Sequence, residues 1–185
     1  LNSGLNLYTI VIRGAIKATQ RNDFLARTIK INMRKLHGEI ILVDDDEFEL
    51  NFLKETLSNL SYEATIKYFN NARDGYGYIK ETNNNIFLII CDIQMHPISG
   101  FKLKETIEND PEVKAKAIPF VFATTYATEE NIELAYKYNI QGFFEKPTTP
   151  NKMVDFLSVI IQYWVINQHP NKNKHVYDGH TEIPL

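Results

Sequence analysis

The segment Ile40-Ile41-Leu42-Val43-Asp44-Asp45-Asp46 passes without a break from four aliphatic residues to three acids. A short continuous aliphatic run reads as a strand covered on both faces, and acids at its carboxyl end stand where open parallel sheets build their sites. The pattern recurs downstream. Ile86 to Cys91 gives way to Asp92, the run ending at Ala123 gives way to Thr124, and Phe144-Glu145 gives way to Lys146. As parallel strands of one sheet, these runs bring carboxylates, a hydroxyl and an ammonium to one edge. That set of groups suits a divalent cation and a phosphoryl group.

Working outward, short Ile, Val and Phe runs alternate from Glu39 with segments of helical period, the signature of βαβ units. Five strands are expected: 40–43, 62–68, 86–91, 119–123 and 142–144. The fold class is therefore α/β, a doubly wound parallel sheet with helices on both faces. Leu50, Leu53, Leu57 and Leu60 mark the buried stripe of the first helix, with Asp46 in its acidic first turn. Met153, Phe156, Leu157, Ile160, Ile161 and Trp164 mark that of the last, bracketed by Pro150 and His169-Pro170. The second helix, expected over 70–82, carries Gly75 and Gly77, each costing about 1 kcal/mol against Ala in a helix interior.

The 185 residues suit one domain with trailing sequence. Residues 1–37 are expected to be an N-terminal extension, 38–167 the domain, and 168–185, which include Asn-Lys-Asn-Lys, a flexible C-terminal tail. Met33 is the expected natural start, which would make residues 1–32 an upstream extension. Leu7 to Ile12 and Phe24 to Ile31 could otherwise form an extra strand and helix. The net charge of -3 offers no basic stripe for nucleic acid. Leu5 to Ile16 is too short, and interrupted by Arg13, to span a membrane. With Cys91 as the only cysteine, no internal disulfide can form, and a reducing, cytoplasmic setting is expected.

Each polar strand end also has a plainer reading. Three successive acids can simply open a solvated helix, Thr124 can cap a turn, and a Lys before a proline is usually a surface residue. Asp92 changes the balance, because a carboxylate closing a fully apolar strand is costly to bury without a partner. Carboxylates brought together raise one another's pKa unless a cation neutralises them. Mg²⁺ takes one or two carboxylates, keeps several waters and leaves room for phosphate oxygens.

Ile-Leu-Val-Asp-Asp-Asp at 41–46, Cys-Asp-Ile-Gln-Met at 91–95 with Gly100, Ile-Pro-Phe-Val-Phe-Ala-Thr at 118–124 and Phe-Phe-Glu-Lys-Pro at 143–147 together resemble the receiver domain of two-component response regulators, the CheY-like family. The resemblance spans about residues 38–167. It implies a flavodoxin-like sheet of strand order 2-1-3-4-5. It also implies Asp92 as phosphoacceptor, with Mg²⁺ held by Asp44, Asp45, Asp92 and the main-chain carbonyl of Gln94. Thr124 would be the switch hydroxyl, Phe143 the switch aromatic and Lys146 the counter-charge. The implied partners are a sensor histidine kinase or histidine phosphotransfer protein and a downstream protein target, with a homodimer as a further candidate assembly.

Some positions depart from the family pattern. His96 stands between Met95 and Pro97 where a Pro usually follows the Met directly, and it is expected to be a solvated loop residue. Phe143 has no phenolic hydroxyl with which to report its position. Gln94 and Tyr126 occupy the positions that flank the phosphoryl group in the family, and a bulky Tyr126 is expected to shield it from water. Cys91 is expected to be a buried small hydrophobe and Trp164 core.

The expected function is a stand-alone, Mg²⁺-dependent response regulator, a phosphoacceptor and not a conventional enzyme. Residues 168–185 are too few for a standard DNA-binding output domain, so output would run through protein binding, onward phosphotransfer or kinase regulation. Two alternatives stand beside it. One is a haloacid-dehalogenase-type phosphatase with Asp44 and Asp46 as its D-x-D pair, although Phe48 fits that family poorly. The other is a receiver-like module that binds partners without phosphorylation. A dinucleotide-binding enzyme is disfavoured, because no G-x-G-x-x-G follows the first strand.

Overall fold

A computed structural model describes residues 38–58 and 65–171. In chain order the elements are β1 (Glu39–Val43), α1 (Glu47–Ser58), β2 (Thr65–Phe69), α2 (Ala72–Glu81), β3 (Ile86–Cys91), α3 (Gly100–Asn109), α4 (Pro111–Ala115), β4 (Phe120–Thr124), α5 (Glu129–Lys137), β5 (Gly142–Glu145) and α6 (Pro150–Ile166). The strands pair in parallel in the order β2-β1-β3-β4-β5, as the resemblance implied. Residues 1–37, the tail beyond Asn171, residues 62–64 of the expected second strand, Leu60 and the side chain of Leu57 lie outside the described part.

β1, β3 and β4 are buried along their whole length, so their apolar runs are continuous. Their pleat still sorts side chains between two cores. Ile40, Leu42, Leu88, Ile90, Val121 and Ala123 meet Leu53 of α1 and Met153, Leu157, Ile160 and Trp164 of α6. Ile41, Val43, Ile89, Cys91, Phe120 and Phe122 face the opposite layer, where Ile79, Leu103, Ile107, Val113 and Ala135 come from α2 to α5. Full burial of each Ile, Leu, Val, Met or Phe side chain among these is worth about 1.5–3 kcal/mol, and this two-sided packing holds the sheet edge in place.

α2 forms despite its two glycines because its ends and one face are fixed. Asn71 accepts from the Asp74 N–H at 2.8 Å as N-cap, and Ala72, Gly75 and Ile79 are buried. Gly75 is there for contact, since a Cβ would stand 3.2 Å from Val43 Cγ2, whereas a Cβ on Gly77 would meet nothing within 4 Å. α4 is an addition to the five-repeat reading. Pro111 cannot continue α3, and Asp110 Oδ1 accepts from the Glu112 and Val113 N–H groups at 3.0 and 3.2 Å, restarting the chain as a short second helix.

The first residues assigned to the tail are packed. Asn171 is buried, donates to the Lys116 and Ala117 carbonyls at 3.0 and 3.1 Å, and accepts from Asn85 Nδ2 at 2.8 Å. His169 stands edge-on to Phe87 and Trp164. Ordered structure therefore extends past α6 to at least Asn171, because polar contacts at the amino edge of the sheet capture it. No helix among the described residues is long and apolar enough to cross a membrane.

Gly100 opens α3 with its N–H donating to the Ile93 carbonyl at 2.9 Å, so close to β3 that a Cβ would stand 2.0 Å from the Asp92 carbonyl oxygen. Gly100→Ala is expected to lower stability by about 2 kcal/mol or more, whereas Gly77→Ala is expected to raise it by up to about 1 kcal/mol. Urea unfolding of the two variants checks both, and a shift of the same sign at both positions would contradict the packing described.

Candidate functional site

The sheet ladder continues one residue past three of its strands and so places the polar groups itself. The Asp44 N–H donates to the Phe69 carbonyl at 3.0 Å, that of Asp92 to Val43 at 2.9 Å, and that of Lys146 to Thr124 at 2.8 Å. These residues are held by backbone hydrogen bonds before any side chain is considered. Thr124 is the last residue of β4 and fully buried, and its hydroxyl accepts from the Tyr126 N–H at 3.3 Å.

Asp44, Asp45 and Asp92 each offer a carboxylate oxygen, all within 4.8 Å of one another. Asp46 is not part of this group. Its Oδ1 accepts from the Phe48 and Glu49 N–H groups at 2.9 and 3.0 Å, so it caps α1, and the Asp44-Asp46 pair is split between two jobs. Asp44 Oδ1 in turn accepts from the Asp46 N–H at 3.0 Å, which fixes the carboxylate on the turn.

Lys146 is almost wholly buried, its side chain 8% exposed. Its ammonium is hydrogen bonded to Asp44 Oδ2, lies 2.9 Å from Glu49 Oε1 and stands 4.0 Å from Asp92 Oδ1. Burial lowers its pKa, but Asp44, Glu49 and Asp92 outweigh that and raise it. Burial pushes the Asp92 carboxyl above its ordinary value of 3.8; Lys146 opposes this and Asp44 adds to it, while the Thr124 hydroxyl and the Ile93 N–H also favour the charged form. Glu49 is raised as well, by burial first and by Asp44, against Lys146. Asp92 Oδ2 accepts from the Gln94 N–H at 3.1 Å, whereas Oδ1 is buried with no hydrogen-bond partner.

This donor set fits a hard divalent ion. Three carboxylates converge, one buried oxygen is unpartnered, and a single ammonium leaves the cluster negative. Glu49 is the member that the sequence reading missed. The signal was present in an acid four residues after Asp45, one turn along α1 beside Leu50, but acids flanking an apolar stripe usually face solvent.

The other expected residues fall around this core. His96 is exposed at 94% of its side chain, while its N–H donates to Asp45 Oδ2 at 2.9 Å, so the His96-Pro97 segment, joined by a cis peptide bond, fixes an acid of the cluster. Phe143 is half-buried and edge-on to Phe122 at 6.5 Å, and Phe122 is in turn edge-on to Phe101 at 5.1 Å. Tyr126 is half exposed, and its carbonyl accepts from Asn131 Nδ2 at 3.0 Å. Cys91 is buried, and burial first, then Asp92 and Asp44, push its thiol well above the ordinary value, leaving it inert. Trp164 is core.

Comparison with known proteins agrees with this geometry. Residues 40–158 match the family model described as the response regulator receiver domain. The chemotaxis protein CheY1 of Helicobacter pylori is 26% identical over 125 residues, covering 66% of this chain and 96% of that protein. The two-component response regulator ARR10 of Arabidopsis thaliana is 24% identical over 135 residues, covering 73% of this chain but 22% of that protein. Among solved structures, the phosphorylated cyanobacterial phytochrome response regulator RcpA has a TM-score of 0.62 at 19% identity, covering 72% of this chain and 99% of its own. The Mn²⁺-bound response regulator Rcp1 has a TM-score of 0.62 at 18% identity, with 72% and 99% covered. These structures show the fold, and the family model covers well over half the chain, so this chain belongs to the receiver-domain family of two-component response regulators.

Proposed function

We propose that this chain accepts a phosphoryl group on Asp92 from a phosphohistidine of a sensor histidine kinase or histidine phosphotransfer protein, with Mg²⁺, and passes the signal to a protein target in the cytoplasm. The observation that carries the reading is Asp92 Oδ1, which is buried, unpartnered and 4.0 Å from the Lys146 ammonium. Asp92 attacks phosphorus, the bond to the donor imidazole nitrogen breaks, and that nitrogen takes a proton from solvent as the imidazole leaves, giving an acyl phosphate. Such transfers ask a protein mainly for position and charge neutralisation. Asp44, Asp45, Asp92 and the Gln94 carbonyl would hold Mg²⁺, which supplies that neutralisation on phosphoryl oxygens when bound. Lys146 contributes the protein's own positive charge.

Transmission follows from Thr124. Its hydroxyl, now bonded by the Tyr126 N–H, would turn to a phosphoryl oxygen and draw the following loop inward. Phe143, half-buried against Phe122, would move into the space released and alter the surface formed by α5, β5 and α6. Without a phenolic oxygen, it is biased by packing alone.

Incubation with a small phosphodonor and Mg²⁺ is expected to add one phosphoryl mass to the wild type and none to Asp92→Asn. Mass retained in the variant would remove Asp92 from its role. Tyr126→Ala is expected to shorten the lifetime of the phosphoprotein a few-fold by admitting water, read by loss of label after the donor is removed. Stability supplies a check without any donor. The native state holds a proton on Asp92 more tightly than the unfolded state does, so its charge disfavours folding above the raised pKa. In chelator, Asp92→Asn is therefore expected to unfold at higher denaturant than wild type at neutral pH, with the gain shrinking as pH falls through the raised pKa toward 3.8.

A further inference from the structure

Lys146 has one more acidic neighbour than the proposed phosphoryl chemistry uses. Glu49 Oε1 lies 2.9 Å from its ammonium, closer than Asp92 Oδ1 at 4.0 Å. Glu49 is itself held, because its N–H donates to the Asp46 cap at 3.0 Å and its side chain is only 20% exposed. Asp44 and Glu49 together therefore keep the ammonium on the α1 side of the cluster. The carboxylate whose phosphorylated form Lys146 would neutralise is left at arm's length, with a buried oxygen unpartnered.

Resting on the reading of Asp92 as phosphoacceptor, we propose that Glu49 is a positioning residue that holds Lys146 back from Asp92, keeping the Asp92 carboxylate open for a divalent cation until a phosphoryl group draws the ammonium away. Two effects then have the same sign for the cation. Glu49 adds a negative charge close to the carboxylates, and it stops Lys146 from closing on Asp92 as an internal competitor for the same oxygens. For the phosphoryl group the effect is opposite, because its oxygens must win the ammonium from a carboxylate that already holds it. Removing Glu49 trades cation affinity for readiness to be phosphorylated. A merely structural ion pair would give no such exchange.

The test uses the full chain as wild type, Glu49→Gln, Glu49→Asp, Lys146→Met and the Glu49→Gln/Lys146→Met double variant, each checked for folding by circular dichroism. Mg²⁺ affinity is read by calorimetry, with no phosphodonor. Glu49→Gln is expected to weaken Mg²⁺ binding by about tenfold in the presence of Lys146 and by only about two- to threefold in its absence. Glu49→Asp keeps the charge but loses the reach, and is expected to fall between wild type and Glu49→Gln. At saturating Mg²⁺, Glu49→Gln is expected to take label from a small phosphodonor about threefold faster than wild type. Equal losses of Mg²⁺ affinity with and without Lys146, an unchanged affinity in Glu49→Gln, or slower labelling of that variant at saturating Mg²⁺ would each overturn the proposal. Failure of the wild type to take label would instead overturn the phosphoacceptor reading and leave the Mg²⁺ comparison standing.

Discussion

Three carboxylates, Asp44, Glu49 and Asp92, gather round one buried ammonium at the carboxyl edge of the sheet, Asp45 joins two of them, and the rest of the molecule is arranged to keep them there. Like charges at such spacing repel, and low-dielectric surroundings make the repulsion larger than in water. Side-chain preference alone would let them turn outward. They stay because Asp44, Asp92 and Lys146 are each pinned by a ladder hydrogen bond that extends the sheet by one residue, and because three central strands are packed on both faces. The electrostatic tension of the site is thus borne by apolar burial well away from it. This is why Asp92 stands at a strand end and not within a free loop.

The parts of this arrangement that were legible in the sequence are those set by period and by chain order. Continuous apolar runs announced β1, β3 and β4, their polar ends announced Asp44, Asp45, Asp92 and Thr124, and the end of β5 announced Lys146. What stayed hidden depends on single tertiary contacts. Glu49 looks like any exposed acid of an amphipathic helix until Lys146 arrives from a strand nearly a hundred residues later. Asn171 sits in a polar stretch that reads as tail, yet three hydrogen bonds bury it. Gly75 and Gly77 look equally disruptive by propensity, whereas only Gly75 is required by the approach of α2 to β1. The Asp110-Pro111 break was readable in principle, since a cap and an N1 proline stand side by side.

The aromatic residues form a second organising set on the α3 to α5 side. Phe143, Phe122 and Phe101 meet edge to edge, and Phe101 continues to Tyr138 at 5.9 Å. A shift of Phe143 would therefore be felt by a residue at the end of α5 without any polar relay. Close-packed rings transmit displacement because they cannot be compressed into a neighbour's volume. With no phenolic group, Phe143 takes part in this set by ring packing alone.

The junction at Asn85 has a consequence for how the domain is carried. A Cβ on Gly38 would touch Asn85, and Asn85 donates to the carbonyl of Asn171, so the described domain begins and finishes at one spot on the amino edge of the sheet. The acid cluster lies at the other edge. Both ends of the described domain thus stand at the edge opposite the acids, as the handle of a stamp stands opposite its printing face.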